Sequence, residues 1–317
     1  MCKFIGIDIS KQTFDVSFSE NKIWKHHIFE NKLSGFKKFF KLIESEDWVV
    51  MEASGSYYLP LAEFLDKTGI SVCVVNPLVI KRFSQTNLYR AKTDKKDAQT
   101  IAEYGEKYEL RKWNRASENA NKLRQLYSRK EMLLKQVHQS KRQLEAFTSS
   151  GFLDKFLKME INNSIKYLEN KILKLEKEMD RLSLEEYSET MGNLQSIPGV
   201  GKQTAMMMCL ITDNFEKFEH YKQLIAFVGF SPRVYQSGTS VRGRGHICKM
   251  GKAQIRKLLY LCSWSAKRWN AKCKEMYERL KAKGKPERVI KIAIANKLIK
   301  QIFAIGKSKE KYKADFC

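Results

Sequence analysis

The sequence predicts an α/β N-terminal domain, a long helical middle segment and a mostly α-helical C-terminal domain. Over residues 1–110, apolar segments of strand length alternate with segments of helical spacing. From about residue 117 to residue 184 the chain is highly charged and its apolar residues recur at helical intervals. We therefore expect domains at residues 1–110, 111–190 and 191–317, the last mostly helical after Gly251.

The elements of the first domain follow from runs of apolar residues and from the turns between them. The apolar run at residues 4–9 predicts a buried strand, and Glu20 and Asn21 mark the turn of a hairpin. The predicted strands are 4–9, 13–18, 22–29, 48–51 and 71–75, and the predicted helices are 33–43 and 59–67. Three strands, helix, strand, helix and strand is the order of the RNase H-like fold, which has a mixed sheet with helices on its faces.

The middle segment has the pattern of a coiled coil. Apolar residues repeat at intervals of four and three, at Leu168, Ile172, Leu175, Met179 and Leu182. Residues 123–147 would supply an antiparallel partner, with a break at residues 149–151. Two interpretations stay open: two helices packed within one subunit, or an arm for dimerisation.

The net charge of +24 is distributed unevenly along the chain. Residues 1–110 carry 16 basic and 15 acidic side chains, whereas residues 201–317 carry 26 basic and 8 acidic ones. Such an excess favours a polyanionic partner, nucleic acid above all. An acidic membrane surface is the lesser alternative, because we expect no strongly amphipathic segment with Trp and Leu on one face.

The sequence also predicts where the protein resides. No apolar run approaches the roughly 20 residues of a membrane span, and the first residues read into a strand without the core of a signal peptide. Seven cysteines without any Cys-x-x-Cys pair indicate free thiols in a reducing compartment. We expect a cytoplasmic protein with no membrane association.

Four acidic residues are candidate metal ligands. Asp8 lies within an apolar strand, where a charge is costly unless it is paired or metal-bound. Glu52 follows the strand at residues 48–51, and Asp94 and Asp97 are three apart, so on a helix they share one face. Asp94 alone could equally be a helix N-cap. Carboxylate oxygens favour Mg²⁺ or Mn²⁺, and the nearby Lys92, Lys95 and Lys96 would suit a bound phosphate.

Two segments of the C-terminal domain are candidates for binding phosphate. Residues 194–205 resemble a helix-hairpin-helix, in which Gly199 and Gly201 free backbone N–H groups beside Lys202 to hold a phosphate. A plain helix connector is the alternative. In residues 227–251 glycines permit close backbone approach, and the basic candidates for phosphate contact are Arg233, Arg242, Arg244 and Lys249.

The same glycine-rich segment contains a candidate nucleophile. Ser237 precedes Gly238, a small neighbour that would leave the serine hydroxyl exposed. Tyr235 and Ser240 are rivals for the same role.

Together these segments resemble the DEDD-type insertion-sequence transposases, a family of bridge-RNA-guided serine recombinases. The likeness covers nearly the whole chain, and the order and spacing of its motifs are more specific than any one motif. The matching segments are residues 6–11, 51–55, 92–98, 197–201, 229–233, 237–238 and 249–251.

The resemblance implies a role for each candidate. Asp8, Glu52, Asp94 and Asp97 would be the metal-binding tetrad of a RuvC-like domain, and Ser237 the nucleophile of the C-terminal transposase domain. Family members commonly have two serines before this glycine, whereas here the first position is Gln236. Ser237 is therefore the better match, and Ser240 is the weaker one.

The resemblance further implies partners and an assembly. The partners would be donor and target DNA and a structured guide RNA that pairs with both. The assembly would be a homodimer or homotetramer in a bacterial cytoplasm, associated with the nucleoid, with carboxylates of one subunit facing the serine of another. Two other functions stay open: a RuvC-like nuclease that hydrolyses DNA or RNA, and a non-catalytic nucleic-acid-binding protein on a degenerate scaffold.

Overall fold

Five strands form a mixed sheet in the first 75 residues of the computed structural model, which describes residues 2–87, 93–233, 236–237, 241–242, 246–248 and 250–314. For residues 236–237 and 241–242 only the backbone is described. The strands are β1 (Phe4–Ile9), β2 (Thr13–Glu20), β3 (Ile23–Glu30), β4 (Trp48–Glu52) and β5 (Ser71–Val75). Their order is β3-β2-β1-β4-β5; β1, β4 and β5 run parallel, and β2 is antiparallel to β1 and β3. The predicted α/β domain is confirmed, and its sheet is consistent with an RNase H-like domain.

Four helices accompany the sheet: α1 (Leu33–Phe40), α2 (Leu59–Lys67), α3 (Pro77–Thr86) and α4 (Asp94–Lys107). Helix α1 ends three residues before the predicted Ile43, which packs against the core from the turn that follows. Helix α3 was not predicted. It begins where the Asn76 side chain accepts a hydrogen bond from the Leu78 amide, with Pro77 in the first turn.

Helix α4 lies directly against the first two strands. A Cβ atom at Gly6 of β1 would be 2.1 Å from the carbonyl oxygen of Ala98, so only glycine permits this approach. The Ser17 hydroxyl of β2 donates to the carbonyl of Lys95 at 3.4 Å. Thr93 caps the helix by accepting from the Lys96 amide, so the alternative in which Asp94 is the N-cap is wrong.

Two long helices, α5 (Glu118–Ser149) and α6 (Lys155–Gln195), begin the second unit and pack against each other. Lys130 pairs with Glu176 and Lys141 with Glu169, each at 2.7 Å. The two helices are antiparallel, because the residue numbers of the partners in α6 decrease as those in α5 increase. Their shared apolar seam contains Leu133, Val137, Ile161, Ile165 and Ile172. The two helices pack in the predicted antiparallel way and break near residue 150, whereas the coiled coil and the dimerisation arm stay predictions.

The chain divides into two compact units, Met1–Arg115 and Ala116–Cys317. Helix α6 continues through residue 190 to Gln195, with non-helical backbone angles at Tyr187. The three-part division at residues 110 and 190 stays a prediction.

The rest of the second unit is mostly helical, as predicted. Its helices are α7 (Lys202–Thr212), α8 (Tyr221–Val228), α9 (Ala253–Trp269), α10 (Ala271–Ala282) and α11 (Glu287–Ser308). Between α8 and α9 lie the two-residue strands β6 (Pro232–Arg233), β7 (Gln236–Ser237), β8 (Val241–Arg242) and β9 (His246–Ile247). Helix α11 supplies much of the core, with Ile294, Leu298 and Ile302 fully buried. Within the described residues, every helix is too short or too polar to cross a membrane.

Candidate active site

Asp8 and Glu52 lie side by side on two parallel strands. Ile7 of β1 is in register with Met51 of β4, so the next residue on each strand is one of the two acids. Both acids are half-buried. Side chains two apart on a strand share a face, so Asp8 lies on the face where Gly6 meets helix α4.

Helix α4 brings the other two predicted acids to this face of the sheet. Asp97 directly precedes Ala98, the residue whose carbonyl touches β1, and it is half-buried. Asp94 lies one turn earlier and is exposed. Both belong to the first helical turn, where the positive end of the helix dipole favours a negative charge.

The electrostatics of Asp8 report the proximity of these acids. Burial first, and then the charges of Asp97, Asp94, Glu52 and Asp15, together raise the pKa of Asp8 to about 6. Each ionised neighbour disfavours a second negative charge. Nevertheless, in the part of the chain that the structure describes, no three His, Cys, Asp or Glu side chains are grouped closely enough to coordinate one ion. The acids thus interact through their charges.

Asp15 is a fifth acid at this site that the sequence analysis missed. It is opposite Asp8 in the antiparallel register of β1 and β2 and is only 8% exposed. Its Oδ1 lies 2.7 Å from His26 Nε2 on β3, a hydrogen bond that compensates for burial of the carboxylate. An acid inside the apolar segment at residues 13–18 was the available signal.

The predicted lysines near the acids differ in their surroundings. Lys95 is exposed, whereas Lys96 is half-buried with its Nζ 3.8 Å from Glu103 Oε1. Lys92 lies outside the described residues. Of the described pair, Lys95 is the better placed to reach a phosphate in solvent.

The turn between α6 and α7 has the features expected of a phosphate-binding hairpin. Gly199 has a φ of +101°, and a Cβ there would be 2.8 Å from the Cβ of Ala266. Gly201 is the N-cap of α7 and contributes no side chain, so no side-chain cap hydrogen bond is made to the backbone amides of the first turn. The Lys202 ammonium is 2.8 Å from Asp180 Oδ2 and is therefore engaged in an ion pair.

The segment that carries the predicted nucleophile forms two short ladders. Ser237 of β7 is in register with Val241 of β8, and Gln236 with Arg242. Arg233 of β6 is exposed and is in register with His246 of β9. The remaining candidate residues of this segment lie outside the described residues, namely Tyr235, Ser240, Arg244 and Lys249.

Comparison with known proteins identifies related sequences over the whole length. A family model described as "Transposase" matches residues 5–152, and one described as "Transposase IS116/IS110/IS902 family" matches residues 191–278. The pilin gene-inverting proteins of Moraxella lacunata and Moraxella bovis are each 30% identical over 313 residues, which is 95% of either chain. The transposase for insertion sequence element IS1111A from Coxiella burnetii is 24% identical, covering 81% of this chain and 76% of its own.

The two family models together cover the segments that carry the candidate residues. The first match contains all four candidate ligands, and the second contains Ser237 and the hairpin at Gly199. The chain therefore belongs to the IS110 family of transposases, and it is a DNA transposase or recombinase.

Proposed function

We propose that this enzyme cleaves and rejoins DNA strands with two groups of residues. Asp8, Glu52, Asp94 and Asp97 bind a divalent metal, Mg²⁺ or Mn²⁺, and Ser237 is the nucleophile. The observation that carries the proposal is that β1, β4 and α4 bring these acids to one face of the sheet. The raised pKa of Asp8, to which burial and the charges of its acidic neighbours contribute, supports it. Acids from β1, β4 and α4 that repel one another on one sheet face are suited to a cation that neutralises them.

The donor set fits a hard divalent cation, since the four ligands offer carboxylate oxygens alone. A DEDD-type transposase domain also implies dependence on a divalent metal. When bound, such an ion would polarise the scissile phosphate. Asp15, held by His26, would then limit how freely the Asp8 carboxylate can turn.

In the proposed reaction, the Ser237 Oγ attacks the phosphorus atom of the scissile phosphodiester. An Oγ–P bond forms, the bond from phosphorus to the 3′-oxygen breaks, and the serine proton is passed on to that leaving oxygen. The phosphoserine bond conserves the energy of the phosphodiester. Attack by the 3′-hydroxyl of another strand reverses the step and releases the serine, so no hydrolysis is needed.

The basic residues have supporting roles in this proposal. Arg242 and Arg244 would brace the phosphate while charge develops on it. Lys95, Lys96, Lys92, Arg233 and Lys249 would contact the DNA backbone, as would the amides at Gly199 and Gly201 beside Lys202. None of these contacts reads base sequence, which suits guidance by a structured RNA that pairs with donor and target DNA.

The decisive experiment traps the covalent intermediate. Wild-type enzyme is incubated with its RNA, Mg²⁺ and labelled element DNA, then denatured, and protein-linked label is counted on a gel. Ser237→Ala should abolish the adduct, whereas Ser240→Ala and Tyr235→Phe should retain it. An adduct formed by Ser237→Ala would overturn the assignment of the nucleophile. Cleaved ends with free 3′-hydroxyl and 5′-phosphate groups, and no adduct, would instead support a hydrolytic nuclease.

Two further measurements test the partners. RNA that copurifies with the protein and maps to DNA flanking its gene would support the guide, and activity that is fully retained after RNase treatment would contradict it. Sedimentation at increasing concentration should give a dimer or a tetramer. A monomer bound to DNA at saturating concentration would contradict the proposed assembly.

A further inference from the structure

One face of helix α9 exposes large apolar and basic side chains together. Lys257, Leu261, Trp264 and Arg268 are all exposed, and their spacing of four, three and four residues places them on one side of a helix. Leu261 is 54% exposed and Trp264 is 50% exposed. Trp269, at the end of the helix, is 75% exposed.

The Trp264 ring is held in place by a network of charged groups. The Lys291 ammonium lies 3.4 Å from the centroid of the ring and is itself buried. Glu287 accepts hydrogen bonds from Lys267 at 2.8 Å and from the Tyr277 hydroxyl at 2.9 Å, and it pairs with Lys291 at 3.3 Å. The Lys267 ammonium lies 5.9 Å from the same centroid, and half of the Trp264 surface remains exposed.

A half-exposed aromatic ring held by such contacts is suited to stacking against another flat ring. Aromatic side chains bordered by cations bind single strands because every unpaired base offers a π-face and every phosphate a charge. Bases within a duplex are already stacked on their neighbours and cannot reach such a surface. The face therefore favours unpaired nucleic acid over a duplex.

The charge around the face also selects its occupant. Residues 242–309 contain 20 basic and 3 acidic side chains. A second copy of the chain would place Lys257 and Arg268 against side chains of the same sign. A polyanion, by contrast, is attracted to these basic side chains.

We propose that the exposed face of α9, formed by Lys257, Leu261, Trp264 and Arg268, binds an unpaired DNA strand. A base stacks on Trp264 while the basic side chains contact phosphates. The face spans about 16 Å at 1.5 Å per helical residue, so a short oligonucleotide covers it. This inference goes beyond the proposed strand-transfer chemistry and requires neither Ser237 nor the carboxylates.

The test measures binding alone, in EDTA, so that loss of catalysis cannot affect the result. The probes are a short labelled oligothymidylate and a labelled duplex of equal length. Binding of each probe is measured by fluorescence anisotropy. Trp264→Ala should weaken single-strand binding roughly tenfold or more and leave duplex binding nearly unchanged. Trp264→Phe, which keeps a ring, should restore most of the affinity. Phe156→Ala, which removes a 71%-exposed aromatic side chain from α6, is the matched control and should have no effect.

Several results would overturn the proposal. Unchanged single-strand affinity in Trp264→Ala, or an equal loss for both probes, would exclude stacking on this residue. If Trp264→Ala fails to fold, Trp264→Leu decides, because leucine keeps apolar bulk at this position and removes the ring. Tighter Trp264-dependent binding of an RNA of matched sequence would assign the face to RNA. A lower oligomeric state in Trp264→Ala with normal DNA binding would assign it to a second copy, and Trp264-dependent binding to anionic lipid vesicles alone would assign it to a membrane.

Discussion

Replacing Asp8 with asparagine should stabilise the metal-free protein, although Asp8 is a proposed metal ligand. Burial, followed by the charges of Asp97, Asp94 and Glu52, raises the pKa of Asp8 from 3.8 to about 6. The folded protein therefore holds the Asp8 proton more tightly than the unfolded chain does. It follows that the ionised carboxylate destabilises the fold, and that a neutral amide of similar shape does not.

The magnitude follows from the size of this pKa change. About two pKa units correspond to about 3 kcal/mol at 1.36 kcal/mol per unit. Because Asp8 is only half-buried, solvent screening reduces the expected effect to about 1–2 kcal/mol. The destabilisation of the fold by the ionised Asp8 carboxylate is complete above the pKa that Asp8 has in the folded protein. It decreases as the pH falls from about 6 to about 4, and it vanishes where the carboxyl group is protonated in both the folded and the unfolded state.

The assay compares urea unfolding of wild type and Asp8→Asn in EDTA across this pH range. Above pH 6 the variant should be the more stable, and near pH 4 the two should coincide. Glu46→Gln, which neutralises an exposed acid in the same unit, should change little at either pH. Adding Mg²⁺ should stabilise wild type but not Asp8→Asn, because a ligand that binds only the folded state raises its stability. A variant that is less stable than wild type at high pH in EDTA would refute the argument that these acids repel one another.

Two other predictions concern the packing of each unit. Gly6→Ala should lower the free energy of unfolding by about 3 kcal/mol in a urea titration, since its methyl group would meet the Ala98 carbonyl oxygen at 2.1 Å. Gly192→Ala, with open space around its Cβ, should be neutral or stabilising, and a similar loss in both would contradict the steric explanation. Asn270→Ala should cost about 2–3 kcal/mol in the same titration, because the fully buried amide donates to Gln301 Oε1 at 3.0 Å and caps α10. A cost below about 1 kcal/mol would mean that water replaces the lost hydrogen bonds.

The strands were predictable from the sequence because a short continuous run of apolar residues is compatible with few structures other than a buried strand. The end of α1 was not, since Ile43 is packed against the core from a turn, and helical spacing looks the same whether the chain continues or bends. Helix α3 was missed because it buries only two side chains deeply, Ile80 and Phe83. The best sequence signal for this helix was an asparagine directly before a proline, since the Asn76 side chain accepts the hydrogen bond that caps the helix.

The candidate site was predictable in part for a related reason. The order of elements in the sequence is enough to bring Asp8, Glu52 and the acids of α4 to one face of the sheet. Asp15 was missed because alternation along a strand assumes one solvent-exposed face. Strand β2 is instead buried on both faces over most of its length, so its acid lies inside. That burial depends on α4, which is distant in sequence.

The separation of charge along the chain follows from the two tasks that the proposed reaction requires. The proposed metal ligands lie in residues 1–110, which are nearly neutral, with 16 basic and 15 acidic side chains. DNA must still be attracted, and the excess of 26 basic over 8 acidic side chains in residues 201–317 provides this. Added salt weakens contacts to phosphate but screens a half-buried carboxylate group far less. DNA binding should therefore decline steeply with salt under conditions in which the stabilisation by Mg²⁺ persists.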